Sequence, residues 1–94
     1  MLIKGFERMT ENERQSTGRL DGSGKLIYVG DIIHDMHYVG RGKRKHYYEV
    51  IEYNGDYAMR RIYDESITEF EHFTFTSEIV IGNIKDNPEL MEMY

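Results

Sequence analysis

The sequence contains no cysteine, no tryptophan and a single proline in its 94 residues. Without cysteine there is no disulfide, no thiolate nucleophile and no thiolate zinc site, a pattern that fits a reducing compartment. No apolar run approaches the roughly 20 residues that a membrane-spanning helix needs. The opening Met1, Leu2, Ile3, Lys4, Gly5 and Phe6 do not resemble a secretory signal. A soluble cytoplasmic protein, with no membrane contact, is the expectation. Positive charge is also scarce: 12 Lys and Arg face 17 Asp and Glu, for a net charge of −5. The deficit is local. Residues 1–24 carry four of each sign and residues 25–53 carry five basic and four acidic, whereas residues 54–94 carry three basic and nine acidic. Because phosphate binding draws its affinity from counterion release at a basic face, this balance argues against a general nucleic-acid binder. It leaves room for a local basic loop.

What the chain does have is aromatic and β-branched side chains, with eight tyrosines and four phenylalanines. Such residues suit a pleated, half-buried surface. A chain of this length makes one domain, spanning residues 1–94, with a small core. Residues 1–16 form a weakly specified N-terminal arm. Within it, Thr10 and Glu13 fit a capping box, which predicts a helix of about two turns ended by Gly18 in the left-handed conformation.

Asp21, Gly22, Ser23 and Gly24 predict a turn, because the glycines relax backbone sterics and the aspartate can accept from its own downstream amides. Residues 25–29 then read as extended, Gly30 and Asp31 as a break or bulge, and residues 32–38 as a strand. The loop that follows holds Arg41, Lys43, Arg44 and Lys45.

Residues 46–63 carry the clearest local signal. Asn54-Gly55 separates two β-rich runs and tolerates the two positive φ values of a type I′ turn. A two-residue loop fixes the register, pairing Tyr53 with Asp56, Ile51 with Ala58, Val50 with Met59 and Glu49 with Arg60. The last pair is complementary in charge. The face bearing Tyr48, Val50, Tyr57 and Met59 has fewer permanent charges and is expected to meet the core. The opposite face is also partly apolar, so a terminal segment or partner should cover it. Phe70, Phe73 and Phe75 are further core candidates, and residues 78–81 make a short apolar strand. Asn87, Pro88 and Glu89 predict a closing helix over residues 88–93, with Leu90 and Met91 packing on the sheet.

Two separated segments carry a specific likeness. The first contains Thr17, Gly18, Asp21, Gly24, Lys25, Ile27, Tyr28, Gly30, Asp31, Ile32 and Ile33. The second contains Ile81, Gly82, Asn83, Ile84, Asn87, Pro88, Glu89 and Leu90. In this order they resemble the T-G-x-x-D-x-x-G-K-x-I-Y-x-G-D-I-V and I-G-N-I-x-x-N-P-E-L segments of the YopX-like family of small bacteriophage and prophage proteins. The likeness runs from about residue 15 to residue 94. It departs at the start, where family members often carry a segment containing tryptophan. The resemblance implies a mainly β domain, an SH3-like small barrel with a short C-terminal helix. It implies no reaction.

The residues themselves offer little chemistry. His34, His37, His46 and His72 lack ligand spacing, since positions three apart on a strand point to opposite faces. No metal and no cofactor are expected. Asp31 after Gly30 reads as a turn-former rather than a catalytic acid, and no glycine-flanked serine elbow accompanies a histidine. The glycines at 22, 24 and 30 are spaced wrongly for a dinucleotide loop. The expectation is a non-enzyme acting through an unknown protein partner or self-association. The alternative is a weak nucleic-acid-binding barrel, in which Arg41, Lys43, Arg44 and Lys45 grip phosphates beside Tyr47 and Tyr48.

Overall fold

The computed structural model describes residues 14–36 and 46–92. Seven strands dominate: β1 (Ser16–Leu20), β2 (Leu26–Tyr28), β3 (Asp31–Asp35), β4 (Tyr47–Tyr53), β5 (Asp56–Arg61), β6 (Ile67–Glu69) and β7 (Glu78–Asn83). β1 and β2 form a two-stranded antiparallel sheet, and the rest form a five-stranded antiparallel sheet in the order β6-β5-β4-β3-β7. The five-stranded sheet is open, with β6 and β7 at its edges, so the fold is mainly β but the ladders do not close into a barrel.

The β4–β5 hairpin has the register expected from its turn. Tyr53 opposes Asp56, Ile51 opposes Ala58, Val50 opposes Met59 and Glu49 opposes Arg60. Asn54 and Gly55 take φ values of 53° and 80°, the pair of positive angles whose twist matches the flanking strands. Arg60 Nη2 donates to Glu49 Oε1 at 2.5 Å.

Both faces of this hairpin are covered. Tyr48, Val50 and Met59 pack with Ile27, Ile33, Phe70 and Phe75, and with half-buried Tyr57, Phe73 and Val80. This is the face with fewer charges. On the other side Tyr47, Ile32 and Ile62 pack beneath Leu90 and Met91. A short C-terminal segment thus hides the second apolar stripe.

Two further expectations need correction. Residues 14–18 are not helical: Ser16–Leu20 is strand β1, and Gly18, at φ 77°, sits where the β1–β2 register shifts. Thr10 and Glu13 lie outside the described residues. A helix of two turns had too few internal bonds to compete with pairing against β2, where Thr17 Oγ1 also donates to the Ile27 carbonyl at 2.8 Å. The C-terminal element is a five-residue 3-10 helix, Pro88–Glu92, not an α-helix. Asn87 does not cap it forward; its Oδ1 reaches back to accept from the Asn83 amide at 3.2 Å. As expected, Phe70, Phe73 and Phe75 join the core: β6 is three residues long and runs into a 3-10 turn, Phe70–His72, which tucks Phe70 inward. Burying Phe70 and Phe75 overrides continued pairing; Phe75 accepts a φ of 57° to do so.

Candidate functional site

The two family-like segments lie some fifty residues apart and meet across the β3–β7 ladder. In the first, Asp21 is buried. Its Oδ1 accepts from the Ser23 amide, the Ser23 hydroxyl and the Lys25 amide, each at 2.8 Å. Its Oδ2 accepts from the Val80 amide of β7, also at 2.8 Å. Gly22 adds a backbone bond from its N–H to the Glu78 carbonyl at 2.9 Å. Burial pushes the Asp21 pKa up, but the amides of Val80, Lys25 and Ser23 and the Ser23 hydroxyl outweigh it and hold the group below 3.8.

Asp31 behaves differently. Its Oδ2 accepts from the Tyr28 amide at 2.8 Å, closing the β2–β3 turn, and its Oδ1 takes the guanidinium of Arg14. Arg14 also lies over the Tyr28 ring, 4.8 Å from its centroid. Burial drives the Asp31 pKa upward, and the Tyr28 amide and Arg14 do not cancel that push, so the group titrates above 3.8. These bonds fit the turn-forming role expected for Asp31.

In the second segment, Asn83 Oδ1 accepts from the amides of Lys85 and Asp86 at 3.0 and 2.7 Å, folding the chain back after β7. Gly82 has no room for a side chain: a Cβ there would lie 2.6 Å from Asn87 Oδ1. The Ile84 amide donates to the Gly30 carbonyl at 2.9 Å, and the Gly30 amide donates to the Val50 carbonyl at 2.9 Å. Gly30, at φ 94°, is therefore the joint between the two segments and β4.

Around this joint is a solvent-open cleft of about 730 Å³. Its walls are the β2–β3 turn at Val29 and Gly30, residues 49–52 of β4, and the turn at residues 83–86, with Arg14 at the rim. Val29, Val50, Ile51 and Ile84 give it an apolar lining, and Ile84 is exposed. No histidine, serine or threonine is among the described residues that line it.

The sequence-predicted contact residues fall elsewhere. Tyr47 and Tyr48 are buried. Tyr47 stacks on His34 with centroids 4.3 Å apart, and Tyr48 meets Phe73 edge-on at 5.7 Å. Both rings are occupied by the fold and do not form an open stacking platform. Arg41, Lys43, Arg44 and Lys45 lie outside the described residues, as does His37. Glu69, Glu71 and His72 have ligand atoms within 4.8 Å of one another, the one such set among the described residues. Glu71 and His72 are solvent-exposed, and we assign no metal there. Among the described residues no helix is long and apolar enough to cross a membrane.

A family model for YopX protein matches residues 4–92. The chain belongs to the YopX family. No curated protein matches it. The family-like segments had drawn attention as sequence, but the cleft they share was not visible there, since Gly30, Val50 and Ile84 come together only through strand pairing.

Proposed function

We propose that this YopX-family chain is a non-catalytic accessory protein of a bacteriophage or prophage. In this reading it works in the host cytoplasm by binding a protein partner or a second copy of itself through the cleft at Gly30. One observation carries the proposal: both family segments line a single apolar cleft, and no histidine, serine or threonine is among the described residues that line it. We also read the open five-stranded sheet as an opened SH3-like barrel. The Asp21 turn bonds to β7 at Val80 and Glu78, in the place where a further strand would complete the wall. Nucleic-acid contact through Arg41, Lys43, Arg44 and Lys45 is less favoured, because Tyr47 and Tyr48 are buried in the fold.

The test combines light scattering of the pure protein with capture from phage-infected cells, for the native chain and Ile84→Arg. Ile84 is 39% exposed, so arginine changes the cleft without disturbing the core. A specific complex or dimer that the variant loses supports the reading. A strict monomer that retains no protein overturns it.

A further inference from the structure

Strand β4 is paired unequally along its length. β3 opposes only its first part, with His34 against Tyr47, Ile33 against Tyr48 and Ile32 against Glu49. β5 continues on the other side as far as Tyr53. Past Glu49, the β3 side of β4 receives one backbone bond from the described residues, from the Gly30 amide to the Val50 carbonyl. In an antiparallel hairpin the main-chain groups of successive residues turn alternately toward and away from the partner strand. Since Val50 turns away from β5, so does Glu52. The Glu52 N–H and C=O therefore face the cleft and, among the described residues, meet no backbone partner, an open piece of sheet edge of the kind that natural sheets cover or use for strand addition.

The charges at the cleft are equally unequal. Arg14 is taken by Asp31, and Glu49 by Arg60. Glu52 accepts from the neutral amide of Gln15 at 3.0 Å, and Asp86 from the neutral amide of Asn83 at 3.1 Å. Among the described residues neither of these exposed carboxylates has a salt-bridge partner. With Lys85 the unpaired charge at the rim is negative, as it is across residues 54–94.

We propose that the cleft receives an extended, basic peptide segment of a partner protein. The segment adds as a strand along residues 51–53 of β4, bonding at Glu52, and brings lysine or arginine to Glu52 and Asp86. This rests on the reading of the cleft as the contact site and adds the shape and charge of its occupant. Three residues of β4 span about 10 Å, so a peptide of three or four residues covers the open edge. Alternate side chains then fall toward Ile84 and Val29 or outward.

The probe is a library of random seven-residue peptides, selected on the immobilised full chain. Enriched sequences are expected to alternate apolar residues with lysine or arginine. A synthesised winner should slow hydrogen exchange at the Glu52 amide. The Glu52→Gln and Asp86→Asn double variant should weaken its binding by about tenfold, as two exposed ion pairs of roughly 0.7 kcal/mol each would give. An empty selection, enrichment without basic residues, or unchanged affinity in the double variant overturns the inference. So does a Glu52 amide already protected before peptide is added, which would mean that the chain covers this edge itself. A native partner that is lost with Ile84→Arg but ignores the double variant refutes the basic occupant alone and leaves the cleft reading standing.

Discussion

The turn at Asn54 and Gly55 and the turn running from Asp21 to Gly24 are both short, polar and glycine-bearing, yet they are held by different parts of the chain. The first is local. Its two positive φ angles set the register of β4 on β5, and each strand it joins is the other's neighbour. The second closes on itself through Ser23 and Lys25, but its decisive bond goes to Val80, 59 residues away. Gly22 presses against the same region from outside: a Cβ there would lie 2.1 Å from the Thr76 carbonyl oxygen. One turn arranges two strands, while the other fastens the beginning of the domain to its end.

Substitutions can break each turn separately. The largest effect is expected for Gly22→Ala, because the clash is with backbone and no side-chain rotation relieves it. A loss of about 3 kcal/mol or more in chemical denaturation is expected. A loss under about 1 kcal/mol would mean that the turn floats free of Thr76.

Asp21→Asn comes next, at about 2 kcal/mol, since one carboxylate serves four donors and an amide side chain leaves at least one buried N–H unmatched. The same variant alters the pH response. The folded Asp21 pKa is depressed, so its stabilisation is present above the unfolded value of 3.8 and drains away as pH falls through the folded one. Between about pH 6 and pH 3 the native chain should lose more stability than Asp21→Asn. Equal losses would show that the carboxylate is not what the Val80 amide depends on.

Gly55→Ala should cost less, about 1 kcal/mol, because only the local φ of 80° resists it and a Cβ there meets nothing within 4 Å. Backbone amide shifts should stay within the hairpin; changes reaching β7 would contradict its local character. Arg60→Gln should cost least, below about 1 kcal/mol, since the arginine is 40% exposed, and the difference should shrink further in high salt.

The same division runs through what could be read from sequence. The β4–β5 register, the buried face at Tyr48 and Val50, and the packing of Leu90 and Met91 all follow from spacing and turn chemistry over a few residues. The local pattern at Arg14 and Gln15 favours a helix, because their tertiary partners, Asp31 and Tyr57, are remote in the chain. Tyr47 and Tyr48 looked available beside a basic loop, but alternation along one strand sends them to two different buried layers. The cleft left no local mark at all.

Amino-acid order alone settled the mainly β character, the hairpin and the family, because period-two patterning, positive-φ turn residues and two motifs in order are local properties. Folding decided which turns became anchors, that the ladders stay open, and that Gly30 sits between Val50 and Ile84. Those outcomes depend on hydrogen bonds and close contacts between residues far apart in the chain, and no short window of sequence contains both partners.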